Sequence, residues 1–265
     1  GLMSVVCRVG LTVWCMFLTA DAFAAPSSQK WEEQKGQNFI IYYKDVPQDF
    51  VDTVMASAEE DFRRVTANLG ISRYQSWSFD KRAIIYIYRD EEDYVQNGRQ
   101  AGWSHGAALA ESKVIKTYPS AQGFFDSMLP HELGHIIFRE FVGMYADVPL
   151  WFEEGVAMYQ EKAKRFGSDR AVRQAIEKGQ FIPLTGLADM RLYKDTDENT
   201  VQLFYAEAAS AVYFLITEFD EQHFYKLCRE LKKNTRFEDA LRKTYVHIKG
   251  LEDLNTMWLR HLQGG

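Results

Sequence analysis

The sequence predicts an α+β fold, a small twisted mixed sheet followed by a helical C-terminal lobe, and three observations carry that prediction. Two short runs rich in β-branched and aromatic residues, Phe39-Ile40-Ile41-Tyr42-Tyr43 and Ala83-Ile84-Ile85-Tyr86-Ile87-Tyr88, read as strands. A long amphipathic pattern lies between them, and from Phe124 onward the apolar spacing shifts to three- and four-residue steps. With no Pro/Ser-rich hinge between the halves, residues 38–265 read as one unit, sheet-rich over 38–123 and helical over 124–265.

The first stretch stands apart. Arg8 precedes an apolar run over residues 9–18, and Ala22-Phe23-Ala24 places small residues where a signal peptidase inspects them, so residues 1–24 read as a cleaved secretory signal. The run is about half of the ~20 residues needed to cross a bilayer, so no permanent membrane span is expected. An exported protein, periplasmic or extracellular, follows. Residues 25–37 are polar and read as a linker.

Each later element has its own signal. Residues 39–43 should form a first core strand. Asp49 can cap a helix whose Phe50, Val54, Ala58, Phe62, Val65 and Leu69 recur at helical spacing until Gly70 ends it. The run 83–88 is apolar throughout, as expected of a central strand covered on both faces. A Gly-rich segment, 98–106, leads to the more polar, alternating residues 113–118, which suit an edge strand. Helical segments follow at about 127–142, 150–165, 199–217, 221–233 and 236–245, with another near the end.

Composition removes several function classes. The chain has 31 Lys+Arg against 37 Asp+Glu and no basic stripe, so it lacks the electrostatic footprint for phosphate backbones and nucleic acid is not an expected partner. There are three cysteines; Cys7 and Cys15 leave with the signal, and Cys228 remains as a small buried hydrophobe. Without a disulfide the fold must stand on its core or on a metal.

The chemistry concentrates in His131-Glu132-Leu133-Gly134-His135. Two imidazoles four residues apart on a helix differ by about 40° around its axis and can share one metal ion. A chain of this composition shows that pattern by chance roughly once in a hundred times. Ser127 is placed to cap the helix, which puts Pro130 in its first turn. A second helix opens with Pro149-Leu150-Trp151-Phe152-Glu153-Glu154-Gly155-Val156-Ala157, far enough on for the chain to turn back and present Glu154 to the same ion. Three protein ligands plus water is the open, catalytic form of zinc, whereas a closed structural site usually wants several thiolates and the mature chain has only Cys228. Glu153, about 100° away around the helix, is the rival third ligand.

The paired segments resemble the gluzincin metallopeptidases, in which an HExxH helix is followed by a helix carrying a Glu ligand in a Trp-x-x-Glu-Gly-x-Ala setting, here Trp151 to Ala157. The layout is similar to the peptidase MA-like domains of that group over residues 38 to about 235. The resemblance implies a zincin-like fold with an active-site helix pair and one Zn²⁺ held by His131, His135 and Glu154. It gives Glu132 as general base, and Tyr205, within Leu203-Phe204-Tyr205-Ala206-Glu207, as donor to the oxyanion. It also implies that residues 113–118 line the cleft and pair with an extended peptide. The outer nitrogens of the histidines need partners, and Asp126, Asp147, Glu161 and Glu207 are all candidates. His105, His223, His247 and His261 carry no motif.

The departures are informative as well. Phe138 and Phe141 stand where a metzincin needs Gly and a third His, so that branch is excluded. Nothing resembles the Gly-x-Met-Glu-Asn segment of gluzincin aminopeptidases, which favours an endopeptidase acting on peptide or protein substrates. The alternative is a zincin-like protein of the cell envelope that binds zinc and a peptide with little turnover; the intact Glu132 speaks against it.

Overall fold

The computed structural model of the chain describes residues 30–71, 77, 79–98, 110–162 and 167–264. The expected signal, residues 1–24, and His105 with most of the Gly-rich segment lie outside the described residues.

Four strands form one sheet in the order β1 (Glu32–Lys35), β2 (Phe39–Tyr43), β3 (Ala83–Ile87), β4 (Val114–Thr117). β1 runs antiparallel to β2, while β2, β3 and β4 are mutually parallel, so the sheet is mixed, as expected. β1 lies within the residues read as a linker, which corrects that reading. Its sequence Glu-Glu-Gln-Lys has no apolar alternation; its backbone pairs with β2, Glu32 opposite Tyr43, while most of its side chains stay in solvent. β3 is an inner strand and β4 an edge strand among the described residues. In β3, Ala83, Ile85 and Ile87 are buried but Ile84 and Tyr86 are partly exposed, so the expected cover on both faces is incomplete.

Between β2 and β3 runs α1 (Gln48–Asn68), whose Val51, Val54, Ala58, Phe62 and Val65 join the core of the sheet. Asp49 does not cap it. The helix begins at Gln48 after an extended Pro47, and the Asp49 carboxylate accepts from the neighbouring Phe50 N–H inside the first turn, 2.9 Å. An acid there still favours the positive end of the helix dipole. Gly70, at φ +71°, turns the chain away, as its place in the sequence suggested.

A π-helical turn, Phe124–Met128, runs directly into α2 (Leu129–Val142). Ser127 therefore lies inside a continuous helical stretch instead of capping it, and its hydroxyl is used elsewhere. Next comes α3 (Leu150–Tyr159), shorter than the expected 150–165 because after Gln160 the backbone leaves the helix so that Lys162 N–H can donate to the Asp126 carbonyl, 2.9 Å. Then follow α4 (Ser168–Glu177), α5 (Leu184–Asp189), α6 (Glu198–Phe219), α7 (Glu221–Lys232), α8 (Phe237–Thr244) and α9 (Leu251–Gln263). Neither α4 nor α5 was anticipated: α4 buries little more than Val172 and Ala175, and α5 has six residues with Gly186 among them. Cys228 on α7 is a buried free thiol, pushed up in pKa by burial.

Two glycines set how closely the helices meet. At Gly134 a Cβ would stand 3.0 Å from Ala157 Cα, so α2 and α3 touch nearly backbone to backbone. At Gly155 it would stand 2.4 Å from the Ala208 carbonyl oxygen, so α3 lies against α6 in the same way. Lys113, just before β4, pairs with Glu140 of α2 at 2.5 Å, and the Trp77 indole donates to the same carboxylate, tying the sheet edge to the helix that bears the histidines.

Candidate metal centre

One turn apart on α2, His131 and His135 turn their Nε2 atoms together, 3.1 Å apart. From α3, brought close by Gly134, Glu154 places Oε2 3.4 Å from the first and 3.5 Å from the second. These three residues are the group of His, Cys, Asp and Glu, among the described residues, whose donor atoms lie within 4.8 Å of one another and could hold a metal ion. The spacing fits one. Donors about 2.0–2.1 Å from a tetrahedral zinc stand roughly 3.3–3.4 Å apart, and two histidines with a carboxylate form a donor set that zinc accepts. His135 and Glu154 are buried, at 5% and 4% exposure, which leaves His131 nearer the opening.

A shell of further charges holds these groups. The His131 Nδ1–H donates to Glu161 Oε1 at 2.8 Å, and the other Glu161 oxygen accepts from Ser127 Oγ, also at 2.8 Å. Among the four carboxylates the sequence left open for this role, the structure brings Glu161 to His131. Asp147 instead caps α8 by accepting from Phe237 N–H, 3.0 Å, and Glu207 accepts from Ile182 N–H, 2.8 Å. Asp126 engages its neighbourhood through its backbone carbonyl, which takes the Lys162 N–H. On the other histidine, Nδ1 faces Glu153 Oε1 at 3.7 Å, beyond hydrogen-bond range. Glu153 itself is gripped by the Arg139 guanidinium through both oxygens, Nε to Oε1 at 3.0 Å and Nη2 to Oε2. The rival ligand thus faces away from the point where His131, His135 and Glu154 converge.

Electrostatics point the same way. Burial works against charge on His131, but Glu154 and Glu161 outweigh it and hold the imidazole up to about 9. Burial opposes charge on His135 too, and Glu154, Glu153 and Glu132 together push it well above the ordinary range. For Glu153, burial alone would raise the carboxyl, yet His135 and Arg139 bring it down to about 2. Glu154 is likewise held well below the carboxylate range, against its burial, by the two histidines. Glu132, Glu153, Glu154 and Glu161 place four carboxylates around two imidazoles and the Arg139 guanidinium. That surplus of negative charge suits a divalent cation.

Glu132 sits on α2 next to His131, partly exposed and outside the donor triangle. Tyr205 lies on α6, half-buried against the core with its ring edge-on to Phe204 at 5.6 Å. It stands one turn before Ala208, whose carbonyl oxygen a Cβ at Gly155 would meet at 2.4 Å. Arg139 was missed by sequence reasoning, although a signal was there: a lone Arg in the apolar run Ile136-Ile137-Phe138-Arg139-Glu140-Phe141 demands a buried partner. A family model described as Peptidase MA superfamily matches residues 68–264, a span that contains every residue of this centre. No curated protein matches the chain.

Proposed function

The chain belongs to the peptidase MA superfamily, and from that membership we propose that it is a zinc-dependent metallopeptidase, an endopeptidase acting on peptide or protein substrates. The observation that carries this reading is the convergence of His131, His135 and Glu154 to within 4.8 Å. In this reading the three residues hold one Zn²⁺ per chain, and the ion supplies Lewis acidity, acidifying water and polarising a carbonyl.

The remaining work falls to side chains. Glu132 is the general base: it takes a proton from the water that adds to the scissile carbonyl carbon and delivers it to the amine as the C–N bond breaks. Glu161 keeps the His131 ring in one tautomer and one orientation by accepting from Nδ1–H. Tyr205, on the helix packed against α3, is assigned as the hydroxyl donor to the developing oxyanion. The β4 edge, tied to α2 through Lys113 and Glu140, offers backbone groups to an extended substrate. Export belongs to the same proposal, supported by the apolar run 9–18 and the Ala22-Phe23-Ala24 site. Among the described residues no helix is long and apolar enough to cross a membrane.

Metal analysis of the purified protein beside His135→Ala and Glu132→Gln, with casein cleavage measured with and without a chelator, tests the reading. The expected result is about one zinc per wild-type chain with chelator-sensitive cleavage, and loss of both in His135→Ala. Glu132→Gln keeps the metal and loses about 10²–10⁴-fold in kcat/KM. A wild-type chain that takes up no metal overturns the proposal.

A further inference from the structure

Two consecutive glutamates on α3 are both buried, Glu153 at 6% and Glu154 at 4% exposure, and both carry low pKa values. Both sit on the helix that touches α2 at Gly134, yet Glu154 has an oxygen 3.4 and 3.5 Å from the two Nε2 atoms while Glu153 has one 3.7 Å from Nδ1 of His135. What separates them is Arg139. This residue, itself 7% exposed, stands one turn beyond His135 and makes two sets of bonds. Its Nε and Nη2 take both oxygens of Glu153, and its Nη1 donates to the carbonyl of Ala146 at 3.1 Å, with longer contacts to Gly143 at 3.4 Å and Met144 at 3.5 Å. The guanidinium therefore grips the loop between α2 and α3 and the first turn of α3 at once. A planar fork can do this, and a lysine ammonium cannot reach the same set of acceptors together.

We infer that Arg139 is a positioning residue that selects the ligand: it holds Glu153 off the metal position and behind His135, so that Glu154 alone is presented with the two histidines. The inference rests on the metal-binding reading above. Released from Arg139, the Glu153 carboxylate would be buried beside His135 with no fixed cation of its own, and a metal ion bound by the histidines would be the nearest positive charge. Arg139 touches neither substrate nor metal in this account and acts only through Glu153 and the loop.

The test uses the full chain and reads the metal instead of turnover. Zinc affinity is measured by competition with a chromophoric chelator, and the visible spectrum of the Co²⁺-loaded protein is recorded for wild type, Arg139→Gln, Arg139→Lys and the double variant Arg139→Gln/Glu153→Gln. In Arg139→Gln, zinc affinity should fall by about 10–100-fold, the loss typical of removing a supporting group, and the Co²⁺ spectrum should change as Glu153 enters the ligand set. In the double variant, which no longer carries the competing carboxylate, the wild-type spectrum should return and affinity recover to within about threefold. Should Arg139→Gln fail to fold, Arg139→Lys keeps a buried charge beside Glu153 but lacks the planar fork that holds both its oxygens and the Ala146 carbonyl together, and a smaller spectral change in the same direction is expected. Wild-type spectra and affinities in both single variants, or a double variant as impaired as Arg139→Gln, would overturn the inference and leave Arg139 as a loop clamp. A wild-type chain that takes up no Co²⁺ removes the metal-binding reading itself, whereas uptake by wild type with unchanged variants removes the inference alone.

Discussion

Glu161 bridges Ser127 and His131 from just beyond the end of α3, so a single carboxylate fixes a histidine ring and the turn that precedes its helix. Glu161→Gln keeps the shape but weakens the acceptor at Nδ1, and zinc affinity measured by chelator competition should drop about 10–100-fold while the far-UV spectrum stays as in wild type. Glu207 is a different case. Burial holds its carboxyl up to about 8, with the Ile182 N–H pulling the other way. The native state thus keeps this proton over a pH range in which the unfolded chain, titrating near its ordinary 4.5, has lost it. Stability falls as pH rises from about 4.5 to about 8 and levels off above, by on the order of a few kcal/mol. Glu207→Gln still accepts from Ile182 and removes that titration, so its melting temperature should exceed that of wild type by a margin that widens between pH 5 and pH 8. At this scale the sequence revealed what spacing encodes. The cluster of His131, His135 and Glu154 was legible because a helix repeats every few residues. Arg139 and Glu161 were not, because their partners depend on how the chain returns after the loop.

Among the elements, α3 is held on two sides by glycines that admit no side chain. A Cβ at Gly155 would meet the Ala208 carbonyl oxygen at 2.4 Å and Val212 Cγ2 at 2.5 Å, and one of these is backbone that cannot rotate away. Gly155→Ala should force α3 from α6 and cost about 2–3 kcal/mol in urea unfolding, with weaker metal binding because Glu154 moves with its helix. Gly134→Ala, where the nearest atoms stand at 3.0 Å, should cost less than Gly155→Ala. A mid-point for Gly155→Ala equal to that of wild type would refute this account of the packing. Long elements were legible, α1 by its apolar stripe and α6 by its length and apolar content. The short ones were not: β1 is a strand by pairing alone, α5 is six residues long, and the helical stretch before α2 begins at a left-handed Gly123 instead of at the expected cap Ser127.

For the molecule as a whole, the mixed sheet and helical lobe followed from where the apolar period changes, near Phe124, and that boundary also separates the sheet edge from the centre. Among the described residues, the groups around the candidate metal position, from Ser127 to Glu161, belong to the two helices and their flanks that follow it. Among the described residues the sheet contributes through ties such as Lys113 to Glu140 and adds no member to that cluster.

That locality reaches beyond the native state. His131 and His135 are four residues apart and Glu154 follows within the next twenty, so in the denatured chain the three groups stay close at small entropic cost. An unfolded polymer that can still chelate competes with the folded one for the same ion, and linkage then credits folding only with the difference between the two affinities. Added zinc should raise the melting temperature by less than the native dissociation constant alone would give, and the shortfall measures how much of the clasp survives without the fold.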